Sequence, residues 1–221
     1  NNQNKDVVNE LKCYKRIKQS NRLLLISFED INEYLLILQI VSERLNKYKS
    51  KILMYLAAAV SDFYIPDNQM AVHKIQSSEG ALSLTLQPVP KKLKELKSNW
   101  IKDSFVISFK LETDNDILIK KSRQAIEKYN VNMVIANELH TRKDVVHIVT
   151  SDNIIPINRL NSDRYIESTL ISFISQTHFD YHKRLCNNKG NHWKSKSNNL
   201  SKYVSNHLIT SRSTKSNKNL S

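Results

Sequence analysis

Residues 51–60 read KILMYLAAAV, an apolar run whose nine residues from Ile52 to Val60 end in three alanines. Such a run, bounded by polar residues and too short for a buried helix, predicts a central strand of a mostly parallel sheet that ends in a bend of small residues. Ligands of parallel sheets sit beyond the carboxyl ends of the strands, where alanines let a ligand approach the backbone closely. Ala57, Ala58, Ala59 and the following Asp62 are therefore candidate binding residues, Asp62 toward a ribose hydroxyl, a metal or an amide. The alternative reading is a packed strand with Asp62 as a turn or cap residue.

Working outward, residues 22–28 (RLLLISF) predict another short strand, and residues 1–21, polar and basic, a flexible segment. Asp30 with Glu33 three residues on forms a variant capping box. The helix it opens carries Ile31, Tyr34, Leu35, Leu38, Val41 and Leu45 at helical spacing. After Asp62 the pattern breaks into a long excursion holding His73 and Lys74. Leu82, Leu84 and Leu86 then alternate with polar residues, as in a half-exposed strand. A lysine in such a loop is a point charge able to close over a phosphate, although most loop lysines are merely solvated.

Further on, Pro90 starts a short Lys-rich helix to Lys97. Strands are predicted at 104–110, 131–136 and 145–150, with helices at 114–129 and 162–176. Alternation of strands and helices argues for an α/β fold: a Rossmann-like, mainly parallel sheet with helices on both faces. Phe109, Lys110, Leu111 and Glu112 end one strand and Asn137 another. Together with Asp62 they form one rim of polar groups, although Glu112 also suits a helix cap.

Length and charge set limits. The chain has 221 residues, 40% of them hydrophobic, enough for one core. Its longest apolar run is far below the roughly 20 residues a membrane helix needs, so no membrane association is expected. Only two glycines are present, Gly80 and Gly190, which excludes a Walker loop and a G-x-G-x-x-G fingerprint within these residues. Cys13 and Cys186 are too few for a disulfide scaffold, consistent with a cytoplasmic location. The net charge of +13 suggests nucleic acid at first. Nine of those charges lie in residues 181–221, which contain no Asp or Glu, leaving the first 180 residues only mildly basic. From Asn187 on, 24 of 35 residues are Ser, Thr, Asn or Lys, so residues 179–221 are expected to form a disordered basic tail. His178, His182, Cys186 and His192 are spaced so that three of them fit one helical face, but a single cysteine in such a region is weak support for zinc, and no metal site is assigned.

Three ordered motifs carry a resemblance: residues 55–66 (YLAAAVSDFYIP), 73–78 (HKIQSS) and 107–113 (ISFKLET), with 89–91 (VPK) and 134–139 (VIANEL) in support. Together they resemble eukaryotic phosphopantothenate–cysteine ligase of coenzyme A synthesis, over roughly residues 23–176. The resemblance implies an ATP-dependent, Mg2+-assisted ligase in which 4′-phosphopantothenate and ATP give an acyl-adenylate and pyrophosphate, and the amine of cysteine then displaces AMP. It implies that Ala57, Ala58 and Ala59 line the nucleotide and acyl-phosphate site through their backbone, and that Asp62 contacts nucleotide or intermediate. By the same resemblance Lys74 is the catalytic residue, stabilising charge at the α-phosphate, while Phe109, Lys110, Leu111 and Glu112 border base and ribose. The excursion at about 66–88 looks like the family's dimerisation ribbon, implying a homodimer, with residues 22–178 as the ligase domain.

Two departures stand out. The family's glycine-rich phosphate loop and its Asn for the pantothenate end have no counterpart in this sequence, which is read as an N-terminally incomplete copy. The paired lysines of bacterial relatives are not recognisable near Lys128, in agreement with the eukaryotic branch and ATP over CTP. The competing expectations are a non-catalytic member of the same family and a nucleic-acid binder acting through the basic tail, which the near-neutral body disfavours.

Overall fold

The computed structural model describes residues 2–71, 73, 81–89, 92–161 and 165–187. The chain divides between Leu38 and Gln39 into two compact units.

In the first unit, α1 (Asn2–Gln19) replaces the flexible segment expected for residues 1–21. Val7, Val8, Leu11 and Tyr14 recur on one helical stripe among lysines and glutamate that tolerate helix well, a periodicity hidden by the polar composition. Residues 22–28 form no strand. A strand needs a neighbour to pair with, and Leu24 and Leu25 remain 81% and 70% exposed. The capping box holds: the Glu33 N–H donates to Asp30 Oδ1 at 2.8 Å, and the Glu29 N–H donates to the Glu33 carboxylate at 2.7 Å. These bonds satisfy the free amides at the start of α2 (Ile31–Leu45).

The second unit is built on a five-stranded sheet. A 3-10 turn (Asn46–Lys51), in which Lys49 takes a positive φ of 52°, leads into β1 (Leu53–Leu56). Then come β2 (Phe63–Tyr64), β3 (Gln87–Pro88), α3 (Leu93–Glu95) running into a π turn (Leu96–Trp100), β4 (Phe105–Glu112), α4 (Asn115–Tyr129), β5 (Met133–Glu138), β6 (Val145–Val149), β7 (Ile154–Asn158) and α5 (Glu167–Asn187). Sheet order is β1-β4-β5-β6-β7. The β1, β4 and β5 pairings are parallel, whereas β6 is antiparallel to both neighbours, so four of the five strands run in one direction. This is the Rossmann-like, mostly parallel α/β fold expected.

Successive residues of β4 and β5 serve opposite faces. Phe105, Ile107, Met133 and Ile135 pack with Val146, Ile148 and Ile157 against Ile166, Leu170, Phe173 and Ile174 of the α5 region. Val106, Ser108, Val134 and Ala136 alternate with them and are also buried, and α4 packs against β4 and β5. Burial on both faces explains why these strands read as continuous apolar runs. α4 is fixed at its start by Asp114, which accepts the Ile117 N–H at 2.9 Å, and at its end by Asn130 in the left-handed conformation.

Several boundaries depart from expectation. The central strand is only four residues, because Ala57–Val60 leave the sheet. The alternating leucines at 82–86 form no strand: they are exposed, and pairing is limited to Phe63 with Pro88 and Tyr64 with Gln87. β7 was not expected, since Pro156 inside it argues against a strand; as the outer strand of the sheet it tolerates the proline. α5 continues to Asn187, so residues 179–187 are helical rather than part of a disordered tail. Tyr181 lies edge-on to Phe105 at 5.1 Å, and His182 Nδ1 is 2.9 Å from Ser50 Oγ, giving that last stretch tertiary partners. The excursion's Lys74 and the chain from residue 188 on, including His192, lie outside the described residues. Among the described residues no helix is long and apolar enough to cross a membrane.

Candidate functional site

All five strands contribute to one edge of the sheet. The carboxyl ends of β1, β4, β5 and β7 meet there, and β6, running the other way, begins there. A cavity of about 720 Å³ opens at this edge, lined by residues of β1, β4, β5 and β6, of the loop between β5 and β6, by Arg159 just past β7, and by the start of α5 with the two residues before it. That volume lies in the range of small-molecule and cofactor sites.

The inner wall is apolar and aromatic. Tyr55 of β1 and Phe109 of β4 meet edge to face, with ring centres 4.8 Å apart and planes at 74°, beside Ile135, Val146, Ile166 and Leu170. Burial, and secondarily the charge of Glu167, push the Tyr55 phenol above its ordinary pKa, keeping it protonated and able to donate. Asn137, paired in register with Leu111, lines the same cavity, and its Oδ1 is buried without a hydrogen-bond partner.

The outer wall is charged. Arg142 and Lys143 are exposed, and Arg142 donates through a guanidinium nitrogen to the Leu139 carbonyl. Arg159 closes on Asp144, with its Nε at 3.0 Å and a terminal nitrogen at 2.8 Å from Oδ1, which joins the start of β6 to the end of β7. The cavity thus combines an aromatic interior with cations at its mouth. This is the complement of a planar heteroaromatic group linked to an anion.

Of the residues singled out from the sequence, Phe109 and Asn137 are brought together in this cavity. Lys110 and Glu112 project to the opposite face of β4. There the Glu112 carboxylate lies 2.9 Å from Lys121 Nζ of α4 and 3.2 Å from Lys110 Nζ. The Lys121 hydrogen bond first, and Lys110 after it, hold Glu112 below the ordinary carboxylate range against the opposing effect of burial. Leu111 is exposed and outside the lining, as are Ala57, Ala58, Ala59 and Asp62. Asp62 contributes its carbonyl to the Val89 N–H at 2.9 Å, closing the base of the excursion. His178 donates from Nε2 to the Ser50 carbonyl at 3.0 Å, and Cys186 Sγ is 3.7 Å from both ring nitrogens of His182. Among the described residues no three His, Cys, Asp or Glu side chains are grouped to hold a metal.

Sequence reasoning passed over Tyr55, Arg142, Lys143, Asp144, Arg159 and Glu167. Tyr55 lay inside the apolar run and was absorbed into it. The RKD triplet at 142–144 was legible as a charged loop following Asn137, at the same strand end. The Arg159 pairing depends on β7, whose proline concealed it.

The family model for the DNA/pantothenate metabolism flavoprotein C-terminal domain matches residues 36–169. Phosphopantothenate--cysteine ligase 2 of Oryza sativa subsp. japonica is 42% identical over 171 residues, covering 77% of this chain and 53% of that protein. Phosphopantothenate--cysteine ligase of Homo sapiens is 43% identical over 143 residues, covering 65% and 46%. A solved structure of a Cab2 mutant in complex with phosphopantothenate-cysteine superposes with a TM-score of 0.76 at 34% identity, over 81% of this chain and 61% of that one. The chain spans about half the length of the curated relatives it matches. The resemblance drawn from the three ordered motifs is thereby borne out.

Proposed function

The chain belongs to the family of the DNA/pantothenate metabolism flavoprotein C-terminal domain, and on that premise we propose that it supplies the nucleotide-binding part of a ligase joining 4′-phosphopantothenate to cysteine. The observation that carries this reading is the cavity at the strand ends, where Tyr55 and Phe109 form an aromatic wall and Arg142 and Lys143 stand at the mouth. Relatives named phosphopantothenate--cysteine ligase support the reaction class.

In this reading the nucleotide is ATP. Its base lies against Phe109 and its phosphates extend toward the cations. The phosphopantothenate carboxylate attacks the α-phosphorus, a new P–O bond forms, and the bond to the β-phosphate breaks with release of pyrophosphate. The amine of cysteine then forms the C–N bond, losing a proton as AMP leaves with the electron pair of the acyl C–O bond. A carboxylate acylates poorly, so the protein's task is positioning and charge neutralisation. Arg142 and Lys143 neutralise phosphate charge at the mouth, and Tyr55, kept protonated, is a donor within the cavity. Lys74 is proposed to reach the α-phosphate, and the backbone of Ala57–Ala59 and Asp62 to border the intermediate.

Mg2+ takes oxygen ligands and is commonly held by substrate phosphates plus one or two carboxylates. The residues present fit that mode: Glu167 lies in the lining, and no three-residue metal cluster exists among the described residues. Bound with the triphosphate, Mg2+ would offset phosphate charge. The active form is proposed to be a cytoplasmic homodimer in which the excursion at 66–88 pairs with its copy. The exposed Leu82, Leu84 and Leu86 support this, since their alternation suits a strand with a partner.

Pyrophosphate release from ATP, Mg2+ and phosphopantothenate tests the reading. Release that requires phosphopantothenate supports a working ligase, and Lys74→Ala should lower it at least tenfold with the melting temperature unchanged. Saturable ATP binding without release favours a non-catalytic member of the family. Lack of nucleotide binding overturns the assignment.

A further inference from the structure

Among the described residues the charged side chains that line the 720 Å³ cavity are Arg142, Lys143 and Arg159 against Asp144 and Glu167. Arg159 and Asp144 face each other: Nε and a terminal nitrogen of the guanidinium lie 3.0 and 2.8 Å from the same carboxylate oxygen, Oδ1. The strands do not need this pair to stay together. The β6–β7 ladder runs from Val145 opposite Asn158 to Val149 opposite Ile154, and the Arg159 N–H extends it by donating to the Asp144 carbonyl at 2.7 Å. The two side chains are also 35% and 66% exposed, and water so close screens an ion pair until it contributes little to stability. The lining therefore holds a cation whose carboxylate partner can be exchanged at small cost.

We propose that Asp144 stands in for a ligand phosphate, and that binding transfers Arg159 from Asp144 to that phosphate. The inference rests on the nucleotide reading above and deepens it: Arg159 becomes a binding residue, and Asp144 the group that restrains it in the free chain. The planar guanidinium fork matches two oxygens of a phosphate in parallel, whereas here both nitrogens converge on a single oxygen. A triphosphate offers several such oxygens and more charge than one carboxylate. Asp144, once released, is exposed enough for water to solvate it, so the exchange strands no buried charge.

A double-mutant cycle on the 221-residue chain, read as ATP dissociation constants by titration calorimetry at fixed Mg2+ and ionic strength, tests the exchange. Asp144→Asn, which frees Arg159 beforehand, should tighten ATP about three- to fivefold. Arg159→Met, which keeps the alkyl stem, should weaken it about tenfold or more. In the Arg159→Met background the gain from Asp144→Asn should shrink to less than about twofold. Arg159→Gln takes the place of the methionine variant if that one does not fold. Weaker or equal ATP binding in Asp144→Asn overturns the inference, because a pair that only braces the mouth would be damaged by the change. A gain that persists in full without Arg159 overturns it too, since it would be the plain repulsion of Asp144 on the phosphates. Both of these outcomes leave the nucleotide site standing. Failure of ATP to bind the unaltered chain and Asp144→Asn alike overturns the underlying reading together with the inference.

Discussion

Two asparagines bracket β5 and have opposite fates. Asn132, just before the strand, is saturated: its Oδ1 accepts the Val106 N–H at 2.9 Å and Lys97 Nζ at 3.1 Å, and its own N–H donates to the Val106 carbonyl at 2.9 Å. Lys97 also donates to the Ser104 carbonyl, and Tyr181 OH donates to the Asp103 carbonyl at 3.1 Å. Asn137, five residues later, lines the cavity and has a buried Oδ1 with no hydrogen-bond partner. One end of the sheet ties its asparagine into the backbone, and the other leaves an asparagine oxygen unpaired. The contrast separates an asparagine whose side chain ties the fold together from one whose oxygen adds no hydrogen bond to it, a distinction residue type alone does not make.

Breaking the saturated end should have the largest effect on stability. Asn132→Ala removes the partner of a fully buried Val106 N–H and of the Lys97 ammonium at once. At roughly 1–3 kcal/mol for each orphaned group, the loss should be about 3 kcal/mol by denaturant titration, with the ATP dissociation constant of the remaining folded protein unchanged. A cost below about 1 kcal/mol would show that the saturation of Asn132 contributes little to the fold.

A smaller effect at the same end is read through pH. Lys97 is 7% exposed, and burial lowers its pKa to about 8, opposed by the charge of Asp103. Because the unfolded chain holds this proton up to about pH 10.4, it binds more protons than the folded chain between the two values, and stability rises with pH there. Across pH 8 to 9.5, below the tyrosines, the gain should be about 1.5 kcal/mol. In Lys97→Met the rise should vanish. A rise that persists in that variant assigns the slope to another group.

The same contrast marks how far the sequence could be read. Strands β4, β5 and β6 and helix α4 were legible because burial on both faces and a clear capping residue, Asp114, leave strong local signals. Residues 22–28 and 82–86 carry equally strong strand patterns and form none, since pairing depends on a neighbour that local pattern cannot supply. In the site, Phe109 and Asn137 were found as strand ends, but which face each side chain serves was not read. The one-residue offset between Phe109 and Lys110 decides between cavity and ion pair. Arg159 was missed because its partner Asp144 is a neighbour only through the β6–β7 pairing.

The smallest effect should come from the unpaired asparagine, and its smallness is informative. Asn137→Ala removes an amide whose Oδ1 makes no bond in the ligand-free chain, so the hydrogen-bond term in its stability cost is absent. What remains is packing of a partly buried side chain and the gain from no longer desolvating a lone acceptor, two terms of opposite sign. Denaturant titration should therefore place this variant within about 0.5 kcal/mol of the parent, against the roughly 3 kcal/mol expected for Asn132→Ala. An Asn137→Ala cost approaching that of Asn132→Ala without ligand would mean that both asparagines hold the fold, and the two ends of β5 would no longer differ in kind.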